Sequence, residues 1–294
     1  DYTRSGNPNF KILENVLKRI ENAKYCTVFS SGIAAVTAIT SSLKTGDKIL
    51  CESNLYGCTI RMFEKVFKKF GIETYYYDFT SKESLKIISK VNPALIWLES
   101  PTNPLLKILN LKEICKEANS KNIPVVVDNT FCTPIIQNPI ELGATLSLIS
   151  TTKFINGHSD ALGGAVLTDN EYWSEKMIFA QKSLGLNPSP FDCWLIVRGL
   201  KTLPLRIDQQ TKNAEKIVKK IESHKLIEKL IYPFSPNHPQ FELAKEQMKM
   251  GGSMITMKLK LNKSDTFYFC NKLKYFTLAE SLGGVESLIC HPST

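Results

Sequence analysis

The chain has 294 residues, of which 43% are hydrophobic, and carries a net charge of +9. This length and composition are typical of a globular protein with one large domain and a smaller one. No apolar run of 18 residues occurs, which argues against a membrane-spanning helix. The lysines are spread over many segments without an interleaved aromatic stripe, which argues against a nucleic-acid partner.

Eight cysteines are scattered along the chain, mostly inside apolar segments. No Cys-x-x-Cys pair occurs, and the four histidines do not cluster with the cysteines. This pattern predicts buried free thiols in a reducing compartment rather than a disulfide framework or a metal site. The chain starts at Asp1 without a charged-then-apolar leader. We therefore expect a cytoplasmic protein that binds no metal.

Strands and helices alternate through the first part of the chain. The first helix is predicted to start at Pro8, with Asn7 as its N-cap. Further helices are predicted over residues 33–43, 59–70, 84–90 and 111–120, and strands over 25–29, 48–52, 72–77, 94–99, 124–128 and 145–149. Such alternation is typical of an α/β fold with a mostly parallel sheet flanked by helices.

The pattern changes near residue 200. A long lysine-rich helix is predicted from there to about residue 224, followed by strands over 227–232 and 254–261 and a helix over 265–273. This mixture predicts a smaller α+β domain. We expect the domains to span residues 1–200 and 201–294.

The segment after the strand 145–149 carries the first chemical signal. It reads Ser150-Thr151-Thr152-Lys153, three hydroxyl side chains followed by a lysine. A lysine at a strand end can attach covalently to a carbonyl, and neighbouring hydroxyls can hold a phosphate. Taken alone, the same pattern fits a solvated lysine in a polar turn.

An aspartate at the end of another strand gives the lysine a partner. Asp128 ends the β-branched strand 124–128, and open α/β sheets bind ligands at the carboxyl ends of their strands. Such a pair suits pyridoxal 5'-phosphate, PLP. The carboxylate would keep its pyridine nitrogen protonated, and the lysine would hold its aldehyde. Ser31 and Gly32 lie between a strand and a helix, where free N–H groups could bind an anion.

Several motifs in order resemble the γ-family of PLP enzymes in cysteine and methionine metabolism. They are Tyr2-Thr-Arg4-Ser-Gly-Asn7-Pro8, Ser31-Gly32, Leu55-Tyr56-Gly57-Cys58-Thr59, Glu99-Ser-Pro-Thr-Asn103-Pro, Asp128-Asn-Thr-Phe, Ser150-x-Thr152-Lys153, Asn156-Gly-His-Ser-Asp160, Ser189-Pro-Phe-Asp192, Arg198-Gly-Leu-Lys-Thr-Leu203 and Ala279-Glu280-Ser281-Leu-Gly-Gly-Val-Glu286. The resemblance covers most of the chain. It implies the fold type I architecture of PLP enzymes, with a mostly parallel mixed sheet flanked by helices and a smaller C-terminal α+β domain.

The resemblance assigns roles around the cofactor. Lys153 would hold the aldehyde, Asp128 would pair with the ring nitrogen, and Tyr56 would stack on the ring. The other cofactor-binding residues that it implies are Tyr2, Arg4, Ser31, Gly32, Ile33, Asn103, Thr130, Ser150 and Thr152. Tyr2 and Arg4 resemble residues that reach the phosphate in a neighbouring subunit, which predicts a homo-oligomer with shared sites, as a dimer of dimers.

The resemblance also implies how an amino-acid substrate would be bound and converted. Lys153 would move protons, Tyr56 would be a candidate base for the substrate amine, and Tyr56, Asn103, Glu280 and Ser281 would contact the substrate. Glu280 and Asp1 resemble acids of cystathionine γ-synthase and γ-lyase, where they could recognise a distal ammonium group.

The resemblance favours a trans-sulfuration enzyme that acts at Cγ and makes or cleaves cystathionine, and alternatives to this function stay open. Cys58 resembles methionine γ-lyase, and cystathionine β-lyase belongs to the same family. A non-catalytic member that acts as a structural or regulatory subunit is an alternative of another class. Family chains extend further at both ends, so we expect the arginine that binds the substrate's α-carboxylate to lie beyond residue 294.

Overall fold

The computed structural model describes residues 2–292, and a seven-stranded mixed sheet forms its centre. In chain order the strands are β1 (Tyr25–Phe29), β2 (Lys48–Glu52), β3 (Glu73–Tyr77), β4 (Leu95–Glu99), β5 (Val125–Asp128), β6 (Leu146–Ile149), β7 (Gly164–Thr168), β8 (Ile227–Ile231), β9 (Thr256–Leu259), β10 (Thr277–Leu278) and β11 (Leu288–Ile289). The large sheet has the order β1-β7-β6-β5-β4-β2-β3. In this sheet, as the structure describes it, β7 runs opposite to the other six strands. The predicted mostly parallel α/β architecture is thereby confirmed.

Helices cover both faces of this sheet, and further helices follow in the C-terminal part. In chain order the helices are α1 (Pro8–Glu21), α2 (Gly32–Thr40), α3 (Gly57–Lys65), α4 (Ser84–Val91), α5 (Leu111–Asn119), α6 (Thr133–Ile136), α7 (Glu171–Ser183), α8 (Pro190–Leu200), α9 (Leu203–Ile221), α10 (Phe241–Gln247) and α11 (Lys263–Lys272). Val126 packs with α2, α3 and α7, while Val127 packs with α5 on the opposite face. The central strands are buried on both faces for this reason, which explains their continuous apolar runs.

Local sequence signals set most of the helix starts. The Asn7 side chain accepts a hydrogen bond from Asn9 N (3.0 Å) and Pro8 is the first residue of α1, as predicted. The predicted helix 59–70 is divided, because α3 ends at Lys65 and a 3-10 turn, Phe67–Phe70, follows it. Several elements lie in segments for which no element was predicted, namely the short strands β7, β10 and β11 and the helices α6, α7, α8 and α10.

The C-terminal part contains two small sheets. Strand β8 pairs antiparallel with β9, and β10 pairs parallel with β11. A separate small core joins Val218 of α9 to Tyr232, whereas Leu203 and Ile207 of the same helix pack into the core that contains α1 and α8. Helix α9 thus connects the two parts, and the domain division at residue 200 stays a prediction. Within residues 2–292, no helix is both long enough and apolar enough to cross a membrane.

Candidate active site

The carboxyl ends of the parallel strands meet at one edge of the large sheet, where the predicted site residues lie. Asp128 ends β5, and it is in register with Glu99 at the end of the neighbouring strand β4. Ser150 to Lys153 directly follow β6. This arrangement follows from the parallel pairing, because parallel strands bring their carboxyl ends to the same edge.

Lys153 lies in a compact turn that runs from Ser150 to Gly157. Lys153 N donates to Ser150 O (3.2 Å), Asn156 N to Thr151 O (2.9 Å) and Gly157 N to Lys153 O (2.8 Å). The partly buried side chain extends from this turn, and its Nζ donates to Ser281 Oγ at 3.3 Å. The structure therefore brings together two predicted site residues that are 128 positions apart.

Burial lowers the pKa of the Lys153 amine, and the nearby Cys58 and Glu280 groups oppose that shift. A lowered pKa makes the unprotonated amine more abundant at neutral pH, and only this form can attack an aldehyde. The Glu280 charge thus acts on this amine, and the predicted contact of Glu280 with the substrate stays a prediction.

Asp128 is the last residue of β5 and is partly buried. Its Oδ1 accepts a hydrogen bond from Thr130 N at 3.0 Å, and burial raises the pKa of its carboxyl group. A positively charged ring nitrogen beside this carboxylate would compensate for its burial. The Thr130 hydroxyl accepts from Ser150 N (2.9 Å), which connects the Asp128 strand end to the Lys153 turn.

The N-terminus of α2 offers a binding site for an anion. Ser31 Oγ accepts from Ala34 N (3.0 Å) and Ser31 O from Ala35 N (3.1 Å). Within residues 2–292, the N–H groups of Gly32 and Ile33 keep no protein partner, and the helix dipole adds positive potential there. A Cβ at Gly32 would lie 2.9 Å from Ser150 Cβ, so glycine is needed for this helix end to approach the Lys153 turn.

The hydroxyls of this turn differ in availability. Thr152 Oγ1 accepts from Gly163 N (3.0 Å) and donates to Gly163 O (3.2 Å). Ser150 Oγ has no protein partner within residues 2–292 and lies beside Gly32. Of the two predicted phosphate-binding hydroxyls, Ser150 is available as a donor, while Thr152 would have to exchange its bond to Gly163.

Glu99 is a site residue that the sequence analysis did not assign. Its buried carboxylate accepts a hydrogen bond from Tyr56 N (2.9 Å), and it lies beside the Asn103 backbone. Burial raises the pKa of Glu99, and the adjacent Asp128 charge raises it further. Glu99 therefore holds the backbone of Tyr56 and lies beside that of Asn103, the two residues predicted to lie against the cofactor ring. An acid at the end of the otherwise apolar strand β4 was the available signal.

Tyr56 lies beside a small polar cluster at the start of α3. A hydrogen bond to Cys58 is the main reason why its pKa is raised to about 12, followed by burial, and Glu280 raises it further. Arg61 Nη2 donates to Cys58 Sγ at 2.8 Å. In this arrangement the Tyr56 phenol keeps its proton at neutral pH, so its predicted role as a base requires a change when substrate binds.

The N-terminal residues are not brought to this site within the single chain. Tyr2 is exposed, and Arg4 Nη1 donates to Lys182 O (2.7 Å) and to Asn187 Oδ1 (3.2 Å). These contacts lie at the end of α7. The prediction that both residues act in a neighbouring subunit stays a prediction. Asp1 lies outside the described residues.

The site combines a partly buried carboxylate at the end of β5, an amine in the turn after β6 and an open helix N-terminus. Together they define a site for an aldehyde cofactor with a phosphate, on an α/β sheet of the PLP-enzyme type. The chain belongs to the Cys/Met metabolism PLP-dependent enzyme family, whose sequence pattern matches residues 1–294. The predicted family and cofactor are thereby confirmed, and the donor groups described above fit PLP.

Individual relatives show the range of the family. The chain is 44% identical to a cystathionine gamma-lyase of Dictyostelium discoideum and 40% identical to a cystathionine beta-lyase of Coxiella burnetii. In each case the match covers 100% of this chain and 76% of the relative. The crystal structure of cystathionine gamma synthase from Xanthomonas oryzae, in complex with aminoacrylate and cysteine, has a TM-score of 0.97 and 38% identity. That match covers 100% of this chain and 76% of the solved chain.

Proposed function

We propose that this chain makes or cleaves cystathionine, as a PLP-dependent trans-sulfuration enzyme that acts at Cγ of sulfur amino acids. The observation that carries the proposal is the position of Glu280. Its charge acts on both Lys153 and Tyr56, and it precedes Ser281, which accepts the hydrogen bond from Lys153 Nζ. A carboxylate at this place would bind the second ammonium group of cystathionine, a group that methionine lacks.

The side chains at the site suit proton transfer at adjacent carbons. PLP, when bound, withdraws electrons from the substrate's α-carbon. Lys153 Nζ is the group positioned to take the Cα proton, since its lowered pKa favours the neutral amine. Its flexible four-carbon side chain can then carry a proton to a neighbouring carbon, as loss of a γ-substituent requires. Ser281 Oγ orients the amine by accepting its hydrogen bond.

The first experiment separates the reactions that remain open. The holoenzyme is incubated with cystathionine and the products are identified. Release of 2-oxobutanoate and cysteine supports γ-cleavage, and pyruvate with homocysteine identifies β-cleavage instead. Formation of cystathionine from cysteine and an activated homoserine ester supports the synthase direction. If the folded, PLP-loaded protein performs none of these reactions, the proposal is wrong, and the non-catalytic alternative gains support.

A second experiment tests the role of Glu280. Glu280→Gln keeps the size of the side chain but removes its charge. We expect the ratio of kcat/KM for cystathionine to that for methionine to fall roughly 10- to 150-fold, the effect of losing one charge-assisted hydrogen bond. Glu242→Gln is the matched control, because it removes the same charge from an exposed position on α10. An unchanged ratio would favour methionine γ-lyase activity, for which the Cys58 resemblance is then the better guide.

The proposal includes the setting in which the enzyme works. A homo-oligomer with shared sites, as a dimer of dimers, is supported by the exposed position of Tyr2 and Arg4 on one chain. The scattered free cysteines support a cytoplasmic location. A role in methionine or cysteine biosynthesis would follow from the direction of the reaction.

A further inference from the structure

Helix α9 approaches the active site from the C-terminal part of the chain with two polar side chains. Arg206 and Gln210 are four residues apart, so they lie on the same face of the helix, one turn from each other. Arg206 contacts the Lys153 turn, and Gln210 contacts the segment that carries Glu280 and Ser281. No catalytic or binding role was predicted for either of them.

Arg206 binds the end of the Lys153 turn. Its Nη1 donates to Phe154 O (2.8 Å) and its Nη2 to Ile155 O (3.3 Å). These carbonyls lie just after Lys153, at the end of a short helical turn, where carbonyl groups lack partners within the turn. The guanidinium satisfies both at once, which a shorter or uncharged side chain would not do.

The guanidinium group itself is held in place from the other side. Arg206 Nε donates to Thr202 Oγ1 (3.1 Å), and Nη2 also donates to Gly199 O (3.0 Å) at the junction of α8 and α9. Gly157 has φ +71°, and a Cβ there would lie 2.0 Å from Arg206 Nη1. The turn therefore has a glycine where the guanidinium packs against it. The conformation of the turn and the position of Arg206 depend on each other for this reason.

Gln210 binds the substrate-site segment. Its Nε2 donates to the carbonyl of Gly284 (2.9 Å), three residues after Ser281. The preceding Gly283 packs directly on the Lys153 turn, since a Cβ at Gly283 would lie 2.4 Å from Phe154 N. Ser159, just after the turn, donates to Glu286 Oε2 (3.2 Å). The turn and the segment are thus in contact, and α9 holds each by a separate hydrogen-bonding group.

We propose that Arg206 and Gln210 are positioning residues that set the place of Lys153 relative to Glu280 and Ser281. The 3.3 Å contact of Lys153 Nζ with Ser281 Oγ joins the two elements that α9 holds. Arg206 fixes the backbone turn from which the catalytic lysine extends. Gln210 fixes the segment that is predicted to bind the substrate. The proposal has two arms. The first, that Arg206 positions Lys153, rests on the PLP chemistry of the family alone. The second, that Gln210 positions the segment with Glu280 and Ser281, rests on the proposed function.

Variants of Arg206 test the first arm. Arg206→Met keeps a flexible, unbranched side chain as long as the aliphatic part of arginine but without its donors, and Arg206→Lys restores a donor with a charge. We expect Arg206→Met to slow the covalent attachment of PLP to the apoprotein, followed by absorbance, by about 10-fold or more. It should lower kcat with little change in KM, and Arg206→Lys should recover part of both losses. Gly157→Ala, which displaces the guanidinium without removing it, should give the same pattern.

Variants of Gln210 test the second arm. Gln210→Met should leave the rate of PLP attachment unchanged but raise KM for cystathionine about 3- to 10-fold, the effect of one lost neutral hydrogen bond. Gln209→Met is the matched control, because Gln209 is the exposed neighbour on the same helix. Within the described part of the chain, its side chain hydrogen-bonds only to Asn213. It should leave both quantities unchanged.

Different results would overturn each arm. If folded Arg206→Met and Gly157→Ala attach PLP and turn over at wild-type rates with only a lower Tm, Arg206 is a structural residue. If Arg206→Met does not fold, Gly157→Ala and Arg206→Lys decide the question by the same readouts. If Gln210→Met matches Gln209→Met in KM, the second arm is wrong. Should the wild-type protein not act on cystathionine at all, the proposed function fails, while PLP attachment still tests Arg206.

Discussion

The carboxyl group of Glu21 predicts an unusual dependence of stability on pH. Glu21 ends α1 and is fully buried, and within residues 2–292 neither of its oxygens has a hydrogen-bond partner. Burial raises the pKa of Glu21 from 4.5 to about 8, and the Glu141 charge contributes to the shift. The Ser147 hydroxyl opposes it, although it does not reach hydrogen-bonding geometry.

The sign and size of the effect follow from linkage. The unfolded chain releases the Glu21 proton above pH 4.5, whereas the folded protein keeps it to about pH 8. The stability that depends on this proton is present below pH 4.5 and is lost as the pH rises to about 8. A shift of this size corresponds to roughly 5 kcal/mol, at about 1.4 kcal/mol for each pKa unit. Glu14, whose pKa burial raises to about 7, adds a smaller loss of the same sign.

The perturbation is Glu21→Gln, which keeps the shape and cannot ionise. We expect the variant to lose markedly less unfolding free energy than the wild type between pH 5 and pH 8, as measured by denaturant unfolding at several pH values. Glu175→Gln is the control, since it removes an exposed acid from α7. Parallel curves for the wild type and Glu21→Gln would refute the reasoning, because they would show that Glu21 ionises without cost in the folded protein.

Three further predictions concern the site and its surroundings. Lys153→Ala should remove covalently attached PLP and activity but keep the far-UV circular dichroism of the wild type, because Lys153 lies in a turn after β6; PLP that stays covalently attached to the variant would identify another lysine. Mixing Lys153→Ala with Arg4→Ala chains should restore part of the activity through hybrid oligomers; no recovery after confirmed subunit exchange would show that each chain builds its own site. Burial lowers the pKa of His238, whose ring contacts Leu106 O (3.0 Å) and Gln240 N (3.1 Å), so the contribution of His238 to stability, which is full above pH 6.5, should be lost as the pH drops below it. In His238→Gln this acid-side loss should be smaller, and identical denaturation midpoints for both proteins from pH 5 to 7 would exclude the effect.

The sequence determined the order and type of most elements of the large sheet, because buried parallel strands require continuous apolar runs and helix starts require capping side chains. Asn7 with Pro8 and the run that ends at Asp128 are examples. Strand β7 was not predicted. Its short run, Gly164–Thr168, follows a second glycine and gives little signal of its own, and its antiparallel pairing with β1 and β6 depends on contacts distant in sequence.

The sequence also predicted which residues carry the chemistry, since a lysine after hydroxyls and an aspartate at a strand end are local patterns. Their mutual arrangement was decided only by the tertiary structure. The hydrogen bonds of Lys153 to Ser281, of Tyr56 N to Glu99 and of Arg206 to the Lys153 turn all connect segments far apart in the chain. Such contacts leave no periodic signal in the sequence, because hydrogen bonds between loops depend on where the packed sheet and helices place the loops.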